Sequence, residues 1–134
     1  MNCSIIFYMA HKTSYCETSL KNVLIANDIH IEYVYPSFSA DMLAENINSA
    51  CEKSDLIFVL GGLSKPENIN TLTIISKGFN NLKPLPKVQE ITNPLKGENG
   101  YLLTYFKQNI VLLPDDPEQI ASMVSKKLVE LIKE

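Results

Sequence analysis

The chain has 134 residues, 46% hydrophobic and 20% charged, an ordinary balance for a folded domain that buries its core without disulfide staples. Its net charge of −3, with no run of Lys or Arg, supplies no field toward nucleic acid or an anionic membrane. No stretch approaches the ~20 apolar residues of a membrane span, and Cys3, Cys16 and Cys51 lack the paired spacing of a disulfide framework or a zinc site.

At the N-terminus, "MNCSIIFYMAHK" has no basic n-region, so Cys3 to Met9 reads as a first strand and not as a signal peptide. The expected setting is a single cytoplasmic domain over residues 1–134. "TSYCETSLKNVLIAND" predicts a helix opened by a Ser14–Glu17 capping box, with Cys16, Leu20, Val23, Leu24 and Asn27 on one face. "IHIEYVY" is β-branched and aromatic and predicts a second strand. "SADMLAENINSACEKS" predicts a second helix with Ser39 as N-cap and Leu43, Ile47, Ala50 and Cys51 as its stripe. The cysteines on these faces read as small buried hydrophobes. "DLIFVL" predicts a fully apolar third strand, and Ile69, Leu72, Ile75, Ser76 and Phe79 fall at helical spacing behind an Asn68 cap.

The rhythm then changes. "NLKPLPKVQEITNPLKGENG" is rich in Pro and Gly and reads as an irregular connection or a short edge segment. "YLLTYF" and "NIVLLP" predict a hairpin turning at Lys107–Gln108, although Lys-Gln is not a favoured turn pair. "DDPEQIASMVSKKLVELIKE" predicts one helix capped by Asp116, with Pro117 at its first position and Gln119 completing the cap. Alternating strands and helices of this length predict an α/β fold: three αβα layers, a mostly parallel sheet with right-handed crossovers, and a C-terminal β-hairpin.

In such a sheet, ligands collect where strand carboxyl ends meet helix amino ends. Two loops belong to that edge. In Gly61 to Asn70, two residues without Cβ let backbone amides approach an anion, Ser64 offers a hydroxyl, Lys65 a charge, and Asn68 a helix cap. The same residues also suit a plain turn, and their spacing is neither a P-loop nor a dinucleotide fingerprint. In the second loop, Pro114 to Pro117, Asp116 is expected to cap while Asp115 faces the first loop, as a cation or hydroxyl ligand or as a solvated turn acid. His11 borders this edge, and neither it nor the isolated His30 has metal-site spacing. Tyr33, Tyr35, Tyr101 and Tyr105 read as packing residues.

The stretch "LGGLSKPENINTLTIISKGF" resembles the molybdopterin-binding domain of molybdenum-cofactor biosynthesis proteins and of the N-terminal half of competence/damage-inducible protein A. Gly61, Gly62, Leu63 and Thr71 agree with that pattern, and "VLLPDDPEQ" resembles its second signature through Pro114 and Pro117. The resemblance implies a pocket for a pterin phosphate or a nucleotide, with molybdopterin and Mg²⁺ as candidate cofactors, and a homo-oligomer. Ser64 stands at the pattern's third glycine, and Asn68 and Ile69 stand at its two aspartates. An amide binds a divalent cation far more weakly than a carboxylate, and isoleucine not at all.

Three functions follow. The first is a binding domain for a phosphorylated small molecule, held by Gly61, Gly62, Leu63, Ser64, Lys65, Asn68, Thr71, Pro114 and Asp115, without efficient metal-dependent catalysis. The second is a metal-dependent enzyme in which Asp115 and Glu67 replace the missing acids. The third is a protein-interaction module with an abandoned pocket.

Overall fold

The computed structural model describes residues 1–79 and 84–133. Six strands form one sheet in the order β2-β1-β3-β6-β5-β4: β1 Asn2–Tyr8, β2 His30–Ser37, β3 Leu56–Leu60, β4 Lys87–Ile91, β5 Gly100–Tyr105 and β6 Gln108–Leu113. β2, β1, β3 and β6 run parallel, while β5 pairs antiparallel with β6 and with the edge strand β4. The α/β reading, with a mostly parallel sheet and a C-terminal hairpin, holds.

Because side chains alternate along a strand, the parallel strands feed two half-cores. Cys3, Ile5 and Phe7, with Leu56, Phe58 and Leu60, pack under α1 (Thr13–Ala26), α4 (Pro117–Met123) and α5 (Lys126–Lys133). Ile6 and Tyr8, with Ile57 and Val59, pack under α2 (Ala40–Lys53) and α3 (Thr71–Gly78). Ser4, the polar exception in β1, is fully buried and shares a 2.7 Å hydrogen bond with Ser54. The Ser39 cap forms as expected, its hydroxyl accepting the Met42 N–H.

Four local expectations are corrected. The Ser14–Glu17 box does not form. The chain leaves β1 through positive-φ residues Met9 (46°) and Lys12 (53°), so the helix starts at Thr13 with Lys12 at the N-cap and no side-chain cap. The third helix starts at Thr71, after a short 3-10 turn over Glu67–Ile69, and Asn70 caps it, not Asn68. The Asn70 carboxamide accepts the Leu72 N–H and donates to the Leu63 and Lys65 carbonyls, closing the loop and capping the helix together. The hairpin turns at Phe106–Lys107, with Phe106 at a φ of 54° and Tyr105 opposite Gln108, whose side chain donates to the Cys51 carbonyl at 2.6 Å. The last helix breaks at Val124–Ser125, where Ser125 caps α5 through the Leu128 N–H. Part of the proline-rich connection, residues 80–83, lies outside the described residues; Lys87–Ile91 forms the edge strand.

Candidate functional site

The strand order reverses direction between β1 and β3, which places the sheet's switch point at the carboxyl ends of those strands. A cleft of about 360 Å³ opens there. His11 and Lys12 line it from the β1–α1 loop, Leu63 and Ser64 from the loop after β3, and Pro114, Asp115 and Asp116 from the loop after β6. Gly97, Glu98 and Gln119 close a further wall.

The glycine pair is shaped from within. Gly61 and Gly62 have φ of 102° and 77°. A Cβ on Gly61 would strike the Tyr8 carbonyl, and one on Gly62 would strike the Thr71 hydroxyl and the Tyr8 ring. The Gly61 N–H is taken by the Leu113 carbonyl at 2.9 Å, which extends the β3–β6 ladder by one bond. Thr71, fully buried, donates its hydroxyl to the Gly61 carbonyl at 2.6 Å. The Gly62 carbonyl accepts from Lys65 and Thr71 N–H groups, and Tyr8 Oη donates to the Ile69 carbonyl at 2.8 Å. The carbonyls of Gly61, Gly62, Leu63 and Lys65 are thus all engaged. By contrast, among the described residues no acceptor takes the N–H of Gly62, Leu63 or Ser64. Three successive amides without a partner, the first on the second of two positive-φ glycines, have the make-up of an anion nest.

The amino end of α1 borders the same cleft through His11 and Lys12. Its first-turn N–H groups have no intrahelical acceptor and no side-chain cap, so a 14-residue helix presents its positive end beside Lys12. Across the cleft, Asp115 Oδ2 accepts the His11 backbone N–H at 2.6 Å. Asp116 caps α4 as expected, accepting from the Glu118 and Gln119 N–H groups. The Gln119 side chain does not fold back to complete a capping box: its Oε1 accepts from Asn93 Nδ2 at 2.8 Å. Asn93 Nδ2 also donates to the Glu98 carbonyl, which fixes the Gly97–Glu98 wall against α4.

Of the residues expected at the site, the cleft brings together Leu63, Ser64, Pro114 and Asp115. Gly61, Gly62 and Thr71 sit behind it as buried support. Lys65 and Asn68 do not line it, nor does Glu67, the acid expected to join Asp115 around a cation. Lys12, Gly97 and Glu98 were missed, since nothing in their local sequence marks them; the sequence reads the 93–99 stretch only as an irregular connection or a short edge segment. Among the described residues, no three His, Cys, Asp or Glu side chains gather as a metal site. Burial pushes the Cys16 thiol up to about 11 and the Cys3 thiol up to about 12, so both are protonated at neutral pH. Tyr33 and Tyr35 stack under Lys53, remote from the cleft. No described helix is long and apolar enough to cross a membrane.

No protein-family model and no curated protein matches the chain. Its fold does match solved structures. The CinA protein of unknown function from Thermoplasma acidophilum superposes with a TM-score of 0.77 at 18% identity, over 98% of this chain and 97% of that one. Molybdenum cofactor biosynthesis protein B gives 0.71 at 11% identity, over 99% and 91%. The molybdopterin biosynthesis enzyme MoaB from Thermus thermophilus gives 0.68 at 14% identity, over 98% and 95%. The chain has the molybdopterin-binding-like fold of these proteins, as the motifs around Gly61 and Pro114 implied.

Proposed function

We propose that this chain binds a phosphorylated small molecule of pterin or nucleotide type in the cleft between the Gly61 and Asp115 loops, without efficient metal-dependent catalysis. The observation that carries the reading is the run of unpaired amides at Gly62, Leu63 and Ser64, in a loop that shares its cleft with the uncapped amino end of α1 at the switch point. An anion there gains backbone hydrogen bonds, the Ser64 hydroxyl, the Lys12 charge and the helix dipole together. Relative to the sequence-based expectation, the cradle moves one residue along: the Gly61 amide belongs to the sheet. The names of the two molybdenum-cofactor structures favour a pterin. Asn68 and Ile69, with Glu67 outside the cleft lining, favour binding over metal-assisted turnover. The reading keeps the cytoplasmic setting and the self-association; light scattering after size exclusion tests the latter.

Calorimetry and thermal shift against pyrophosphate, nucleoside monophosphates and a pterin phosphate test the binding. A ligand at 100 times its Kd should stabilise the fold by about 2.7 kcal/mol. A folded protein that shows neither heat nor stabilisation with any of these probes at millimolar concentration overturns the proposal.

A further inference from the structure

We propose that Asp115 is the positioning residue of this site: its carboxylate latches the Met9–Lys12 loop, and with it the amino end of α1, onto the β6 side of the cleft, and it is not a cation ligand. The inference rests on the binding function proposed above. Its basis is one contact between residues 104 positions apart, the 2.6 Å bond from the His11 N–H to Asp115 Oδ2. The acceptor is a carboxylate, and a hydrogen bond to an ionised acceptor is stronger than a neutral one.

The loop so held does not hold itself. Met9 and Lys12, neither a glycine, sit in the left-handed region, and no side chain caps the helix they lead into. Such residues persist only where surrounding structure over-determines them. On one side, the Met9 N–H donates to the Ser37 carbonyl at the end of β2. On the other, Asp115 takes the His11 N–H from the end of β6. The loop is therefore pinned at two points to two strand ends, with Lys12 and the free first-turn amides of α1 immediately beyond the second pin. The neighbouring acid, Asp116, is engaged at α4 and leaves the His11 N–H to Asp115.

A latch needs an acceptor atom, whereas a cation ligand needs a charge, and two substitutions separate these needs. Asp115→Asn keeps a carbonyl oxygen in place and removes the charge; Asp115→Ala removes both. Two quantities are read on the full chain: hydrogen exchange of the His11 amide by NMR, and pyrophosphate affinity by calorimetry with and without Mg²⁺. In D115A, His11 exchange should speed up by about tenfold or more, and pyrophosphate affinity should fall by about the same factor. In D115N, exchange should stay within about threefold of wild type, and affinity should rise, because a like charge near the bound anion is gone. Unchanged His11 exchange in D115A overturns the latch. So does a D115N protein as impaired as D115A, or Mg²⁺-dependent uptake that D115N abolishes. If the wild-type protein takes up neither pyrophosphate, nor nucleoside monophosphates, nor a pterin phosphate, the proposed function fails on its own account, and His11 exchange in the three proteins still decides the latch.

Discussion

Replacing Gly62 by alanine tests whether the amide run exists in the form described. At a φ of 77°, a residue with a Cβ costs about 1–2 kcal/mol relative to glycine. The new methyl also strikes the Thr71 hydroxyl and the Tyr8 ring, and overpacking of this kind costs about 1–3 kcal/mol. If Thr71 swings away, its bond to the Gly61 carbonyl is lost, for about 1 kcal/mol more. Together these give about 3–6 kcal/mol, against a total stability of about 5–15 kcal/mol for a domain. At about 3–5 °C per kcal/mol for a chain of this size, Tm should drop by about 10–30 °C in circular-dichroism melts. Thr71→Ala vacates part of the space, so Gly62→Ala with Thr71→Ala should be less destabilised than the two singles combined, by about 1 kcal/mol. A Gly62→Ala protein within about 0.5 kcal/mol of wild type, with an additive double mutant, would refute both the close approach of Thr71 and the loop conformation that frees the three amides.

Further outcomes follow from other contacts. Ser64 is exposed and supports no packing, so Ser64→Ala should leave stability within about 0.5 kcal/mol while lowering pyrophosphate affinity about tenfold in calorimetry. Asp116→Ala removes the oxygen that accepts two N–H groups at the start of α4 and should cost about 1 kcal/mol in urea denaturation, with Asp116→Asn largely restoring it. Cys3 and Cys16 should resist iodoacetamide at neutral pH in the folded chain and react once it is unfolded. Because their folded thiols titrate above the usual 9.0, this source of stability is complete below that pH. It should decline as pH rises toward 11, where the unfolded chain releases its protons first.

The layers were legible because periodicity writes them. Cys3, Ile5 and Phe7 alternate with Ser4, Ile6 and Tyr8, and the α2 stripe at Leu43, Ile47 and Ala50 could face only one way. Helix starts were less legible, because distant partners decide them. Ser14 has the side chain of a cap, but the strained exit from β1 places the N-cap two residues earlier, at Lys12. The break at Val124–Ser125 left no trace in the pattern, since Ile120, Met123, Val124, Leu128 and Ile132 run as one stripe through it. At the site, Ser64 and Asp115 could be named because each follows an apolar strand. Glu98 could not: it joins the cleft through the Asn93 to Gln119 bond, a contact 26 residues long with no local signal. The Gly61 amide was misassigned for a related reason. A glycine after a strand looks the same whether its N–H faces a ligand or, as here, the next strand's carbonyl.

Strain at the cleft supplies a sharper test than any lost contact. Lys12 is exposed, holds φ 53° at the N-cap of α1, and makes no side-chain cap bond, so its conformation brings the fold no evident packing gain. A left-handed non-glycine residue costs about 1–2 kcal/mol. Lys12→Gly removes that cost and gives back about 0.5–1 kcal/mol through the greater freedom of glycine in the unfolded chain. The variant should therefore be more stable, by about 0.5–1 kcal/mol, or about 2–5 °C in Tm. Pyrophosphate should bind it less well, with a shallower salt dependence, because the cation beside the α1 amides is gone. A more stable protein that binds worse is the signature of a residue held in strain for its ligand. A Lys12→Gly chain that melts lower than wild type would show that the turn is not strained. Unaltered pyrophosphate affinity would remove Lys12 from the site while leaving the amides of Gly62, Leu63 and Ser64 to stand or fall by the Gly62→Ala result.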